Sequence, residues 1–205
     1  MNYLAHLYLA RPDHGAMLGA LLGDFVFGKA ALDDWGEAER REILIHRRVD
    51  RYTDEHPQVV AARRLFGEGR QRYAGIALDV YYDHCLARDW DRYCDIPLQA
   101  FTAPFYRYLL ARVDELPGRL QRIAPLMAAH DWLGSYRERG NVDRAVARIA
   151  TRLSRNGGRL VQCLDDLRRH EDAIAAGFER FFPQLADHVR SLRVAPVIAP
   201  ASAPH

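Results

Sequence analysis

The chain has 205 residues, of which 49% are hydrophobic and 27% are charged, so it is long enough to bury a core and is not a disordered protein. Its net charge of +2 is too small to indicate a nucleic-acid-binding protein, although Lys29 is the only lysine and arginine supplies every other basic side chain. Three cysteines without a C-x-x-C spacing exclude a disulfide framework and favour a reducing, cytoplasmic setting.

The first predicted elements are two apolar helical segments. MNYLAHLYLA lacks the basic residues of a signal peptide and surrounds His6 with apolar neighbours, where a single histidine is more often a buried core residue than a ligand. The segment 16–27 carries Asp24 and is shorter than the ~20 residues that a membrane span needs. Because an ionised carboxylate among apolar side chains needs a partner, Asp24 is predicted to bind a metal, to cap a helix or to pair with an arginine.

The next predicted helix carries the segment HRRVD at residues 46–50. His46 and Asp50 are four residues apart, so their side chains project from one helical face, one turn apart. That spacing suits two ligands of one cation, or one ligand and the group that orients it. A surface ion pair is the alternative, but the apolar residues ILI before His46 favour a place at the edge of the core.

The segment LDVYYDHCLARDW, which begins at Leu78, gives a stronger indication of a metal site. Asp79 and Asp83 are again four residues apart, and His84 follows directly. Two carboxylates on one helical face repel each other unless a cation lies between them. The flanking residues are apolar, so this helix is not expected to face solvent. The alternative is that both aspartates pair with arginines of a neighbouring helix.

The rest of the chain also has helical spacing. Apolar residues recur every three or four positions, proline and glycine separate the runs, and strand-like alternation is nearly absent. A new helix is expected to begin near Pro57. The sequence therefore predicts an all-α, single-domain helical bundle of about seven to nine helices over residues 1–193. The segment 194–205 is rich in proline and alanine and predicts an extended C-terminal tail.

One predicted helix, which Asn141 is expected to cap, carries a stripe of arginines. The stripe follows spacings of four, four and three, and it consists of Arg144, Arg148, Arg152 and Arg155. The apolar residues of this segment fall on the opposite side, so the arginines are expected to be exposed.

Taken together, the first 90 residues place three or four Asp/His groups in apolar helices. Oxygen and imidazole ligands favour Mn²⁺, Mg²⁺ or Fe²⁺ over a thiolate zinc site. Such a cation polarises a phosphoryl oxygen and lowers the pKa of a bound water, and phosphoester hydrolysis needs both effects. The P-loop, G-x-G-x-x-G, G-x-S-x-G and H-E-x-x-H motifs are absent, and so is the Glu-x-x-His of ferritin-like di-iron bundles.

Four segments of the chain, MNYLAHLYLA, GALLGDFVFG, IHRRVDRYTDEHP and LDVYYDHCLARDW, closely resemble the acyl carrier protein phosphodiesterase family, and DWLGSYRERGNVDRAVARIATR fits its pattern less tightly. The resemblance covers residues 1–192. It implies an HD-like helical hydrolase, related to the HD-type phosphohydrolases, that needs a divalent cation, typically manganese. It also implies release of 4′-phosphopantetheine from holo acyl carrier protein to leave the apo form. The adjacent His-Asp pair of ordinary HD proteins is absent, and Asp83-His84 runs in reverse.

By this resemblance, one or two cations are expected to be held by the residues of the matching motifs, which are Asp24, His46, Asp50, Asp79 and Asp83. His84 or His6 is expected to orient the attacking water or to protonate the leaving serine oxygen.

Arginines are expected to contact the substrate. Arg47 or Arg48 is expected to neutralise a phosphate oxygen, and a solvated helix face is the alternative for both. Because acyl carrier proteins are small and acidic, Arg148 and Arg152 of the stripe are expected to dock the carrier. The alternative is again a solvated helix face in an arginine-rich protein.

Two other functions are compatible with the residues. One is an HD-type phosphohydrolase of a nucleotide or another small phosphorylated metabolite, which would offer a base-stacking pocket. The other is a non-enzymatic helical interaction module whose Asp and His groups form structural ion pairs. Neither nucleic acid nor a membrane is expected as a partner.

Overall fold

The computed structural model describes residues 1–28 and 30–194 of the chain. Over these residues the chain forms eleven α-helices, three short 3-10 turns and no β-strand, which confirms the predicted all-α class. The helices are α1 (Tyr3–Ala10), α2 (His14–Leu22), α3 (Glu37–Glu55), α4 (Pro57–Arg64), α5 (Gln71–Arg88), α6 (Leu98–Ala111), α7 (Gly118–Ala129), α8 (Trp132–Ser135), α9 (Arg139–Ala150), α10 (Gly157–Arg169) and α11 (Glu171–Val194).

The predicted number of seven to nine helices was wrong, because some helix boundaries leave little trace in the spacing of apolar residues. Pro57 begins α4, as predicted, since its fixed φ and missing N–H suit the first helical position. By contrast, only His170 separates α10 from α11. The helix α8 is a single turn of four residues, and Asp131 caps it by accepting a hydrogen bond from the Gly134 N–H.

Two helices lie at the centre of the molecule. In α1 every residue from Leu4 to Ala10 is buried, and in α5 every residue from Val80 to Ala87 is buried. A helix that is covered on all sides belongs to the core, so polar side chains on α1 and α5 are held among fixed neighbours. None of the described helices is both long and apolar enough to span a membrane.

The end of α11 is bonded to α1 and α3. Arg193 donates to both carboxylate oxygens of the buried Glu42 at 3.0 and 2.8 Å, and to the backbone carbonyl of Leu9 at 2.5 Å. Removing one partner of a buried, hydrogen-bonded ion pair of this kind strongly destabilises the folded protein, because it leaves the other charge uncompensated. This contact holds α1 and α3, which carry site residues, in a fixed relation.

Several boundaries in the last third of the chain differ from the predictions. The helix α9 begins at Arg139, so the predicted cap Asn141 lies inside its first turn. Because α9 ends at Ala150, Arg152 and Arg155 follow the helix and do not extend its stripe. Val194, predicted as the first tail residue, is the last residue of α11, and the predicted tail otherwise falls on 195–205, outside the described residues.

Candidate active site

Two glycines allow α2 to approach α3 closely. A Cβ atom on Gly19 would overlap the backbone of Glu39, and a Cβ atom on Gly23 would overlap the imidazole ring of His46. Any side chain at these positions would therefore push α2 away from α3. The close approach places the His46 ring against the C-terminal end of α2.

The hydrogen bonds of His46 fix which of its ring nitrogens carries the proton. Its Nδ1 lies 2.7 Å from the carbonyl oxygen of Ala20, in the last turn of α2, where carbonyls lack helical partners. Because a carbonyl only accepts, Nδ1 is the donor, and the lone pair of a neutral His46 is on Nε2. That Nε2 lies 3.2 Å from an oxygen of Asp50 and 3.8 Å from one of Asp24. A lone pair facing two carboxylates is unfavourable unless a proton or a cation lies between them.

A second imidazole faces the same carboxylate. The ring of His6 stacks on that of His46 with 3.7 Å between centroids, and its Nε2 lies 3.1 Å from Asp50 Oδ1. Burial and the neighbouring His46 lower the pKa of His6 to about 3, so the ring is neutral at physiological pH. One ligand atom from each of His6, His46 and Asp50 lies within 4.8 Å of the others, and all three are ligand types for a divalent cation. We call these three residues the imidazole–carboxylate cluster.

The α-amino group of Met1 extends this cluster to α5. It is fully buried and lies 3.2 Å from Asp50 Oδ1 and 3.0 Å from Asp79 Oδ1. Burial alone would lower its pKa, but the charges of Asp79 and Asp50 outweigh burial and raise the pKa to about 11. Carboxylates from α3 and α5 therefore share a position that accommodates a positive charge.

The carboxyl group of Asp50 is correspondingly stabilised in its ionised form. Burial acts to raise the pKa of Asp50, but its contacts with His46 and His6, together with the Met1 ammonium, hold the pKa well below its ordinary value. Asp50 is thus an anion with three partners, and its two oxygens point to different imidazoles.

The placement of Asp24 corrects one expectation. The helix α2 ends at Leu22, so Asp24 follows the helix and is not surrounded by its apolar residues. Its side chain is 42% exposed, and within residues 1–28 and 30–194 it pairs with His46 and with no arginine. Partial burial raises the pKa of Asp24, which makes it a better proton acceptor than an ordinary aspartate.

Asp83 has a different environment from Asp79, although both lie on α5. Its two oxygens accept hydrogen bonds from the backbone N–H groups of Leu4 and Ala5, at 2.8 and 3.0 Å. These are unpaired donors of the first turn of α1, and Asn2, the residue at the N-cap, provides no side-chain bond. Burial, opposed by these two bonds, raises the pKa of Asp83 to about 7. Asp83 therefore holds α1 in place, and its role as a metal ligand stays a prediction.

His84 faces away from the imidazole–carboxylate cluster. Its Nδ1 lies 2.7 Å from the carbonyl oxygen of Tyr136, and its ring packs near that of Tyr81. The position fixes the segment after α8 against α5. His84 is absent from the cleft described next, so its catalytic role also stays a prediction.

A cleft of about 670 Å³ opens beside the cluster. Asp24 and Asp79 belong to its lining, and the same two side chains reach His46 and the Met1 ammonium, respectively. The walls come from α5, α7, α8 and α9. The remaining lining residues are Met1, Asn2, Tyr3, Ile76, Val80, Arg119, Ile123, Leu126, His130, Trp132, Ser135, Tyr136, Asn141, Arg144, Ala145, Arg148, Ile149 and Arg152.

Four exposed arginines line this cleft, and they form an arginine wall that consists of Arg119, Arg144, Arg148 and Arg152. None of them forms an ion pair with the described part of the chain. The guanidinium of Arg148 lies over the ring of Trp132 at 5.1 Å, and Arg144 donates to the side chain of Asn141 at 2.9 Å.

The arginine wall only partly overlaps the arginines that the sequence suggested. Arg119, near the start of α7, was missed, because its spacing from Arg122 does not distinguish it from the many other arginines of the chain. Arg155 of the predicted stripe does not line the cleft, and neither do Arg47 and Arg48. Arg47 instead donates to the carbonyl of Val26 at 3.0 Å and fastens the loop after α2 to α3.

The family profile and the individual proteins that are similar to this chain carry the same family name. The sequence profile of a family described as acyl carrier protein phosphodiesterase matches residues 1–185. A protein of that name from Serratia proteamaculans is 36% identical over 191 residues, which cover 93% of this chain and 98% of that protein. Proteins of the same name from Salmonella dublin and Salmonella agona are each 34% identical over 186 residues, covering 90% of this chain and 95% of theirs. No solved structure gives a significant match.

Proposed function

Because the chain belongs to the acyl carrier protein phosphodiesterase family, we propose that it hydrolyses holo acyl carrier protein and releases 4′-phosphopantetheine. The observation that carries this proposal is the cleft whose lining carboxylates, Asp24 and Asp79, reach the imidazole–carboxylate cluster. Its volume of about 670 Å³ lies within the ~300–1,000 Å³ of typical small-molecule sites, so the phosphopantetheine arm can enter.

The cluster fits the divalent cation that the family resemblance implies. Its donors are two imidazole nitrogens and carboxylate oxygens, and the His46 lone pair points at Asp50 and Asp24. The Met1 ammonium between Asp50 and Asp79 supports the same conclusion, since that position tolerates a cation. We therefore assign the cation, Mn²⁺ foremost and Mg²⁺ or Fe²⁺ as alternatives, to His6, His46 and Asp50, with Asp24 and Asp79 beside them. When bound, it would polarise a phosphoryl oxygen and make a bound water more acidic.

The remaining roles fall to the chain itself. A water oxygen attacks phosphorus, the bond from phosphorus to the serine oxygen breaks, and the proton removed from the water is passed on to the serine oxygen. Asp24 and Asp79 are the carboxylates that line the cleft, so we assign the removal of the water proton to their oxygens. The hydrogen bond from His46 Nδ1–H to the Ala20 carbonyl keeps the Nε2 atom of His46 directed at Asp50 and Asp24 during the reaction.

The acidic carrier is proposed to dock at the rim of the cleft. Arg144 and Arg148 lie on the exposed face of α9, beside the opening, and have no carboxylate partner in residues 1–28 and 30–194. Arginines arranged in this way attract an acidic surface and orient it as it approaches.

Two finer assignments complete the proposal. The HD-like character of the fold is supported by His and Asp groups presented from packed helices around one potential cation site. A cytoplasmic location is supported by three cysteines that are all free.

The test is an assay of purified protein with holo acyl carrier protein, followed by mass spectrometry of the carrier. Loss of the phosphopantetheine mass, abolished by chelation and restored by Mn²⁺, is the expected result. A nucleotide panel run in parallel covers the second phosphohydrolase function, for which the aromatic side chains of the cleft are Tyr3, Trp132 and Tyr136. Hydrolysis of a nucleotide with an untouched carrier would replace the proposed substrate. No hydrolysis of either, with and without added metal, would favour an interaction module.

A further inference from the structure

The arginine wall contains two arginines without a polar partner among the described residues. Arg119 and Arg152 are exposed, line the cleft from α7 and from the turn after α9, and make no side-chain hydrogen bond or ion pair with the described residues. They differ in this respect from Arg144, which donates to Asn141. Arg119 and Arg148 each lie over an aromatic ring, that of Phe25 and that of Trp132 respectively.

Arg119 and Arg152 line the same cleft as the carboxylates Asp24 and Asp79. The guanidinium of Arg119 lies 5.3 Å from the ring of Phe25, which in turn stacks with Tyr3 at 6.2 Å. Burial and the charge of Asp24 raise the pKa of Tyr3 to about 12, while Arg119 and Arg152 act to lower it. Tyr3 lines the cleft together with Asp24, Arg119 and Arg152, and the charges of all three act on its hydroxyl group.

The position of Arg119 is unfavourable for its own helix. It is the second residue of α7, where the unpaired N–H groups and the helix dipole already provide positive charge and where acidic residues are preferred. A basic residue there does not stabilise the helix through its charge, and a bound anion would offset this unfavourable interaction.

We propose that Arg119 and Arg152 form a phosphate clamp that holds the phosphate of the phosphopantetheine arm from two sides of the cleft. The guanidinium fork matches the spacing of two phosphate oxygens and binds them through charge-assisted hydrogen bonds. The clamp leaves the opposite side of the phosphorus to the imidazole–carboxylate cluster. This inference rests on the proposed function. It gives Arg119 and Arg152 a role in phosphate binding, which differs from the carrier docking proposed for Arg144 and Arg148.

The clamp is tested by calorimetric titration of the full chain with 4′-phosphopantetheine and with pantetheine, which lacks the phosphate. The wild type should bind the phosphorylated compound at least about tenfold more tightly. Arg119→Gln and Arg152→Gln should each weaken 4′-phosphopantetheine binding about tenfold and leave pantetheine binding unchanged. Arg119→Lys should restore part of the loss, because it keeps the charge without the fork. The control is Arg122→Gln, an exposed arginine of α7 that does not line the cleft.

Equal affinity of the wild type for the two compounds, or variants that bind 4′-phosphopantetheine as the wild type does, would overturn the clamp. Hydrolysis of holo carrier by the wild type is measured on the same samples. If the carrier is hydrolysed but no arginine matters, the clamp alone is wrong. If phosphate binding depends on Arg119 and Arg152 but the carrier is not hydrolysed, the proposed function is wrong and the clamp stands.

Discussion

The imidazole–carboxylate cluster and the arginine wall lie side by side but differ in how strongly water and salt screen their charges. In the cluster, His6 and His46 are buried, every group has a partner, and charges act at short range with little screening. In the arginine wall the side chains are exposed and unpaired with any carboxylate of the described residues, so salt and water screen them. A change in the cluster should therefore have a large effect that salt does not alter, whereas a change in the wall should have a small effect that salt removes.

The largest effect is expected from Asp50→Asn. This substitution keeps the shape of the side chain but removes the anion that faces His6, His46 and the Met1 ammonium. Loss of a cation-holding carboxylate removes several kcal/mol of transition-state stabilisation, so kcat on holo carrier should fall about 1,000-fold or more. The fall should be the same at low and high salt.

A matched control for this change lies one helical turn away. Asp54 is an exposed aspartate of α3 whose carboxylate pairs with Arg63, and surface pairs of this type contribute little. Asp54→Asn should retain activity close to the wild type. Activity of Asp50→Asn near that of Asp54→Asn, with metal supplied, would remove Asp50 from the site and end the contrast between the two regions.

The second effect concerns the pH dependence of the free energy of unfolding and Asp83, whose carboxyl group is bonded to the first turn of α1. Its pKa is about 7 in the folded protein, against an ordinary value of 3.8, so the folded state binds this proton more tightly than the unfolded state. The stabilisation is fully present below pH 3.8 and is lost as the pH rises through about 7. At about 1.4 kcal/mol per pH unit, the wild type should lose up to ~4 kcal/mol relative to Asp83→Asn over this range.

The measurement is urea unfolding of both proteins at several pH values between 4 and 8. Asp83→Asn also loses one acceptor for the N–H groups of Leu4 and Ala5, but that cost does not depend on pH. The slope of the stability difference against pH therefore isolates the titration of Asp83. A difference that stays constant with pH would show that Asp83 is ionised at all these pH values, as expected for a metal ligand.

A smaller effect is expected from Gly23→Ala, which neither adds nor removes an ionisable group. The added methyl group would overlap the His46 ring and displace it from the Ala20 carbonyl. A misplacement of about 1 Å at a catalytic group costs up to ~100-fold in rate, so activity should fall by about this factor. Gly140→Ala is the control, because a Cβ atom there meets nothing within 4 Å. Full activity of Gly23→Ala would mean that the position of His46 is not critical.

The sequence predicted the residues of the cluster better than those of the arginine wall. The reason is that one contact of the cluster joins residues only four positions apart in the chain. The spacing of His46 and Asp50 lies within one helix, so helical geometry alone brings both side chains to one face. The contacts of His6 with Asp50 and of Asp24 with His46 join residues far apart in the chain, and apolar neighbours indicated only that these groups needed partners.

Other features of the site depend on packing that no local pattern reports. Asp79 and Asp83 have the same spacing as His46 and Asp50, yet one faces the cleft and the other caps α1. Arg119 at the start of α7 and Arg152 after the end of α9 both line the cleft, whereas Arg155, three residues further along, does not. An arginine-rich sequence offers many exposed cations, so only their three-dimensional placement separates a binding group from a solvated one.

The smallest effect is expected at the rim of the arginine wall, from the double variant Arg144→Glu and Arg148→Glu. Both side chains lie on the exposed face of α9, so reversing their charge should repel an acidic carrier without changing the cluster. The apparent KM for holo carrier should rise roughly threefold to tenfold at low salt, while kcat stays within about twofold. At an ionic strength where the Debye length falls to ~3 Å, near 1 M salt, the difference from the wild type should disappear.

The reference for this last variant is the hydrolysis of a small phosphodiester whose tail carries no charge. Such a substrate does not reach Arg144 and Arg148. Equal losses on the carrier and on the small substrate would place Arg144 and Arg148 in the chemistry and not in docking. A rise in KM that persists at high salt would show that the carrier contacts these side chains through buried, short-range bonds. The rim would then behave like the imidazole–carboxylate cluster, since screening by salt distinguishes a steering charge from a desolvated one.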